Sequence, residues 1–427
     1  MPPLEDHPQR YALVNELHAR PFPSLEAPCH AVYVAIKEPV DAANRDRARD
    51  RAHLLALLDR HGAPHPQPGA THWSGALGRH TLKWESHTEF VTYSAFAPGV
   101  GPRAFDPAEG EVYPPDWLAQ APGRRLCAVL VRVELMPEDE AQVGRLLEEW
   151  FVPESLAAAA VGDGQSIVAG DFRIDPAGFM RFAVFVRPGV GARRVGRIVQ
   201  RLCEIETYRA MSMLGLKRAR DLSARLNALD PELTALVGAM QGEASKAEDT
   251  LNALLRISGE LESLAVSFSF RAGATAAYEA IVNERIGAMR EVRIGGRQTF
   301  GEFMQRRYDP AMRTVKSAER RLYQMVDRAA RAAELLRTRV DVERSKENQA
   351  LLASMDRRAD LQLRLQRTVE GLSVVAISYY AVNLATYLLL PVAEAAGLSK
   401  GLVTAGVTLP VVLAVWLLVR RIRQAMH

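Results

Sequence analysis

Apolar and polar positions divide the chain into three regimes. Up to about Arg187, short apolar runs alternate with turn-forming residues. His30–Lys37 reads as a strand, Ala43–Arg60 as a helix, and Thr81–Glu85 with Glu89–Phe96 as a hairpin. Leu126–Leu135 then reads as a strand, Glu138–Trp150 as a helix, and Ser166–Ile174 with Phe179–Val186 as a second hairpin. The pattern repeats as two β-α-β-β units. It predicts an antiparallel-rich α+β domain over residues 1–190, with its helices on one face of the sheet.

From 191 to 370 glycine and proline thin out and strand-like runs largely disappear, which predicts an all-α arm. Asp230-Pro231-Glu232 has the pattern of an N-cap, a first-position proline and a first-turn acid, and Asp309-Pro310 repeats it. With Ile294-Gly295-Gly296 as a break, helices are expected at about Ala192–Ala228, Pro231–Ser267, Thr275–Val292 and from Pro310 onward. In the last of these, Val315, Ala318, Leu322, Met325, Ala329, Ala332 and Leu336 alternate spacings of three and four, a heptad seam. It resumes weakly at Leu351, Met355, Leu365 and Val369. Packing within the chain and self-association through the seam both account for such a pattern.

The third regime, 371–427, holds two uncharged apolar stretches, Gly371–Val392 and Gly401–Val419, joined by a short link. Each is about as long as a helix needs to cross a bilayer core, roughly 20 residues. No face of either carries charge, whereas soluble helices keep a polar stripe. The expected structure is a two-helix transmembrane hairpin. Arg357, Arg358, Arg364 and Arg367 precede it, and Arg420, Arg421 and Arg423 follow, while the link carries only Glu394 and Lys400. The positive-inside bias then puts both termini in the cytoplasm and the link outside. Neither span contains an ionisable Asp, Glu, Lys, Arg or His, which argues against a proton relay.

Composition adds little that is sharp. A chain of 427 residues with 48% hydrophobic and 24% charged content suggests two or three units. The net charge of +4 is spread over helices, so a nucleic-acid partner is not expected. Cys29, Cys127 and Cys203 lie far apart, which fits a reducing compartment rather than a disulfide framework or zinc site. The first residues lack a basic, then apolar, secretory pattern, so the soluble part is expected to remain in the cytosol.

Nine of the ten histidines precede Phe90. The densest polar constellations are Asn15-Glu16-Leu17-His18-Ala19-Arg20 and Trp84-Glu85-Ser86-His87-Thr88-Glu89. Were the N-terminal arm to fold over the first hairpin, His18, His87 and Glu89 could converge on a divalent metal. Strand alternation would put His87 and Glu89 on one face. The ordinary alternative is surface or hydrogen-bonded histidines, and no cofactor is otherwise expected. Pro188-Gly189-Val190-Gly191, followed by Arg193, Arg194 and Arg197, sits where a strand gives way to a helix, as phosphate-cradling turns do. Its glycine spacing matches no nucleotide fingerprint, so a plain connection with a basic first turn is expected. Glu206, Tyr208 and Arg209 form a further polar cluster in the first long helix, with Glu206 and Arg209 at ion-pair spacing. No nucleophile elbow, P-loop or Ser-His-Asp signature occurs.

Taken together, Asn15–Phe22, Trp84–Tyr93, Ile205–Met211 and Val369–Tyr380 resemble an uncharacterised bacterial family of membrane-anchored proteins known only by a domain-of-unknown-function label. That resemblance implies no activity and no site residues. The element order is also similar to that of the CorA magnesium transporters, in topology only. Where those carry Gly-Met-Asn, this chain reads Leu390-Pro391-Val392-Ala393-Glu394. With that resemblance, the leading expectation is a non-enzymatic, homo-oligomeric protein anchored in the bacterial inner membrane, holding a cytosolic sensing or scaffolding domain on a helical stalk, with the lipid bilayer as its one named partner. The alternatives are a CorA-like divalent-cation transporter and a metal-dependent enzyme using the histidine-rich N-terminal part.

Overall fold

The computed structural model describes residues 4–16, 22–240, 247–395 and 399–425. They form two compact units, the first of residues 1–239 and 253–332, the second of residues 240–252 and 333–427.

The first unit is built on one nine-stranded mixed sheet. In chain order its elements begin α1 Arg10–Glu16, β1 Cys29–Lys37, α2 Arg47–Arg60, β2 His72–Leu77, β3 His80–Ser86, β4 Phe90–Pro98 and α3 Pro115–Ala119. Then come β5 Arg124–Leu135, α4 Ala141–Trp150, β6 Ala157–Val161, β7 Ser166–Ile174, β8 Met180–Val186 and α5 Ala192–Ala239. The remaining elements are α6 Ala247–Gly287, β9 Val292–Arg293, α7 Phe300–Arg307, α8 Asp309–Ala395 and α9 Lys400–Ala425. The strand order is β2-β3-β4-β1-β5-β8-β7-β6-β9. Both expected hairpins form, and each half gains one strand, so the unit is β-α-β-β-β. Both halves build outward from the central β1·β5 pair, where Tyr33 sits opposite Val129. They are not copies of each other, because β4 runs antiparallel to β1 while β8 runs parallel to β5.

Helices cover both faces of the sheet, not one. Every residue of β1 is buried, as a central strand between two helical layers requires. On one face Val32, Val34 and Ile36 join a core with Leu54, Leu57 and Leu58 of α2 and Val143 and Leu147 of α4. Each of those α2 leucines is fully buried, a gain of about 1.5–3 kcal/mol apiece. His53 of α2 is part of this layer: its ring stacks on Trp117 at 3.9 Å, and its Nδ1 lies 3.0 Å from the Tyr93 hydroxyl. On the other face the odd-numbered side chains of β1 meet α5, where the Tyr33 hydroxyl lies 2.7 Å from Thr207 Oγ1.

Helix α5 is continuous through Pro231, where the sequence pattern predicts a boundary. Leu229 and Leu233 are buried on either side, and Asp230 is paired with Arg321 and Arg328 of α8. Tertiary contacts hold the helix together where the proline removes one backbone bond. Helix α6 likewise runs through the break expected after Ser267. There Gly215 of α5 admits α6, because a Cβ on Gly215 would lie 2.2 Å from Thr275 Oγ1. The heptad seam of α8 is occupied within the chain: Val315, Ala318, Leu322, Met325, Ala329 and Ala332 are buried. Lys316–Glu279 and Arg321–Asp230 ion pairs flank it.

The second unit contains the rest of α8 and all of α9. Every residue from 344 to 369 is exposed. Beyond this stretch, α8 and α9 run antiparallel, since Lys400 Nζ lies over the Tyr387 ring and Val419 approaches Val369 and Val374. Both helices are long and apolar enough to cross a membrane, and their apolar windows are only 11% and 6% buried. Those windows are not packed as core.

Candidate functional site

A polar cavity of about 220 Å³ lies between the sheet and α5. It exists because the β3–β4 hairpin breaks the hydrophobic rule on this face. Lys83, Glu85, Thr92 and Ser94 point toward α5 at alternate positions, and all four are buried. Opposite them α5 presents Gln200, Cys203, Glu204, Thr207 and Tyr208, and α6 adds Arg285. Phe22, Phe90 and Phe96 supply apolar wall.

The charges are neutralised in a chain across the cavity. Lys83 Nζ lies 3.2 Å from Glu85 Oε1 and donates to Gln200 Oε1 at 3.1 Å. Gln200 donates in turn to Glu204 Oε1 at 2.7 Å, and Arg285 Nε donates to Glu204 Oε2 at 2.5 Å. Among the described residues, two acids thus face two bases. Burial first, then Cys127, Glu204 and Glu206, pushes the Cys203 thiol far above its ordinary value. Burial and Glu206 push Cys127 up to about 12. Both sulfurs are protonated at neutral pH, and a protonated thiol is neither a nucleophile nor a metal ligand. The wall can hold a small polar molecule by hydrogen bonds. It offers no activated nucleophile.

A second polar cluster fixes the tip of the hairpin. Glu89, 2% exposed, accepts from both terminal nitrogens of Arg271 and from the Tyr278 hydroxyl at 3.1 Å, and Lys37 Nζ lies 3.7 Å away. Burial lowers the Lys37 pKa, and the Glu89 charge opposes that. From the other side Arg45, paired with Asp50 at 2.7 Å, donates to the carbonyls of His87 at 2.8 Å and Phe90 at 3.2 Å. Aromatic rings continue the support: His87 stacks on Phe90 at 4.4 Å and Tyr208 on Tyr278 at 5.6 Å. Pro23 lies against α5 because Gly196 has no side chain, and Leu25 N donates to Ala192 O at 3.0 Å.

The sequence-predicted residues separate accordingly. His87 and Glu89 do not share a strand face, because 87–89 is the turn between β3 and β4. The Glu89 carboxylate is engaged by Arg271, Lys37 and Tyr278, where a metal ligand would need free lone pairs. Among the described residues no group of three His, Cys, Asp or Glu is placed to hold a metal. His18 and Arg20 lie outside the described residues, as do the side chains of Asn15 and Glu16. Glu206 and Arg209 form the intrahelical pair, at 2.8 Å. Burial alone would lower the Arg209 pKa, and Glu206 outweighs it to leave the value raised. Tyr208 lines the cavity. Lys37, Lys83, Gln200, Arg271, Tyr278 and Arg285 were not singled out by the sequence. The period-two run of polar residues inside two otherwise buried strands was the available signal.

These features define a class: a three-layer α/β/α unit with a charge-balanced cavity beside α5, in a chain that ends in two helices able to cross a membrane. The chain belongs to the family described as protein of unknown function (DUF3422), which it matches over residues 5–426. No curated protein matches it significantly.

Proposed function

We propose that the protein is a non-catalytic, membrane-tethered binding protein whose α/β unit takes up a small neutral or zwitterionic polar molecule. The observation that carries this reading is the cavity wall of Lys83, Glu85, Gln200, Glu204 and Arg285. It is rich in donors and acceptors, balanced in charge, and flanked by thiols held protonated. A pocket without net charge favours ligands that carry none.

The tether reading is supported by the sparsely buried apolar windows of α8 and α9, and by the arginines flanking them, which favour cytoplasmic termini. The exposed part of α8 supports self-association. Leu351, Met355, Leu365 and Val369 share a heptad stripe, interrupted by Arg358 and Gln362 and bordered by uncharged Leu352, Ala359, Leu361 and Gln366. Asp356, Arg357, Asp360, Arg364 and Arg367 occupy the outer heptad positions. A lone helix in water gains little stability without a partner for such a stripe. Identical copies anchored in one bilayer would present it in parallel and at equal height.

The test is a thermal-shift panel of small neutral, zwitterionic, anionic and cationic metabolites on the full chain in uncharged detergent. A saturable rise confined to the first two groups, and lost in Glu204→Gln, is expected. No shift at millimolar concentration, or an equal shift in the variant, would reject the reading.

A further inference from the structure

A second concavity, independent of the cavity above, carries a strong charge imbalance. It measures about 210 Å³ and lies at the start of α5. Arg194, Arg197 and Arg201 fall at intervals of three and four, on one face of the helix, and Arg290 closes the site from beyond α6. The one carboxylate in the lining is exposed Asp163, so four positive side chains face one negative.

The arginines are not neutralised locally. Arg194 donates to the Gln165 side chain, and Arg201 Nη1 donates to the Ala288 carbonyl at 3.2 Å. Among the described residues none of the four makes an ion pair with a carboxylate. Burial first, then Arg197 and Arg285, holds the Arg201 pKa below the ordinary guanidinium value, while Glu204 opposes that shift. Packing like charges around a hollow is unfavourable unless something of opposite sign occupies it. The start of α5, a helix of 48 residues, adds its positive end to the same place. Arg290 sits in the left-handed region, at φ 50°, which ordinary side chains rarely adopt.

We propose that this hollow is an anion site for a phosphate group, bound by Arg194, Arg197, Arg201 and Arg290. Guanidinium forks match the tetrahedral oxygens of phosphate, and several of them best match a doubly charged group. A monocarboxylate would leave most of the charge uncompensated. The phosphate could belong to a soluble metabolite or to a lipid headgroup, and both present the same oxygens to the arginines.

The experiment uses the full chain in uncharged detergent, titrated with inorganic phosphate while sodium chloride keeps ionic strength constant. Thermal stability is the readout. Wild type is expected to rise saturably with phosphate, and Arg197→Gln/Arg290→Gln to need at least about tenfold more phosphate. Arg193→Gln removes an exposed arginine outside the hollow and is expected to behave as wild type. Repeating the titration in phosphatidylcholine nanodiscs, with and without phosphatidate, separates the sources. A response blunted by phosphatidate assigns the site to a headgroup, and an unchanged response assigns it to a soluble phosphate. An equal response to chloride alone, or equal loss in Arg193→Gln, overturns the proposal.

Discussion

Replacing Glu89 by alanine isolates the interaction that holds the cavity wall in place. The carboxylate is 2% exposed, and the partners it would abandon are themselves buried, Lys37 at 8% and Arg271 at 15% side-chain exposure. Deleting one member of a buried ionic cluster leaves uncompensated charge, which costs roughly 3–5 kcal/mol. The Tyr278 hydroxyl loses its 3.1 Å acceptor as well. Burial, no longer opposed by Glu89, would push the Lys37 pKa down further. By contrast the Arg60–Asp116 pair, at 35% and 64% exposure, belongs to the class worth about 0–1 kcal/mol. Thermal unfolding of the full chain in detergent should therefore show Glu89→Ala lowered by roughly 8 °C, at about 2 °C per kcal/mol for a large unit. Asp116→Ala should move by no more than about 2 °C. Adding Arg271→Met to Glu89→Ala should restore part of the loss, because the orphaned charge is then gone. Glu89→Ala indistinguishable from wild type, or Asp116→Ala equally damaging, would refute the reasoning.

Gly196→Ala would place a Cβ 1.7 Å from the backbone carbonyl oxygen of Pro23, so the segment must leave α5. A loss of about 3 kcal/mol is expected by chemical denaturation, and a change below about 0.5 kcal/mol would contradict the close approach. His80 is a buried neutral imidazole whose Nε2 has no partner among the described residues, and burial, then Arg79 and His30, lower its pKa to about 4. The unfolded chain binds this proton near pH 6.5 and the folded chain only near 4. The stabilisation is thus whole above pH 6.5 and is lost as pH falls toward 4. Denaturation of wild type against His80→Phe across that range should reveal the difference, up to about 3 kcal/mol. Parallel pH profiles for the two proteins would remove His80 from the account. Cys29 and Cys127 are buried and lie outside the cavity lining, so a thiol reagent should label them only as fast as the unit unfolds. Rapid labelling of either in the native protein would contradict their burial.

The strands that were legible in the sequence are those rich in β-branched and aromatic residues, β1, β3, β4, β5, β7 and β8. Three were missed: β9, Val292–Arg293, is only two residues long and carries no pattern, and the other two have reasons of composition. His72–Leu77 contains Ser74 and Gly75, and Ala157–Val161 is almost all alanine, a helix former that only burial between neighbours makes a strand. The helix boundary expected at Pro231 was overridden by contacts with α8, 91 residues away in sequence. The site shows the same limit. Glu89 stood out as polar among apolar neighbours, but its partner Arg271 is 182 positions distant, and no local pattern joins them. Placing His87 and Glu89 on one face followed from treating 87–89 as strand, when it is the turn that Arg45 and Glu89 pin from opposite sides.

Alkaline carbonate extraction of cell membranes, followed by ultracentrifugation, tests the tether most directly. With α8 and α9 embedded in lipid, the full chain stays in the pellet and is released only by detergent. Recovery in the carbonate supernatant would mean that the two uncharged stretches are covered by protein, and the tethered arrangement would be wrong.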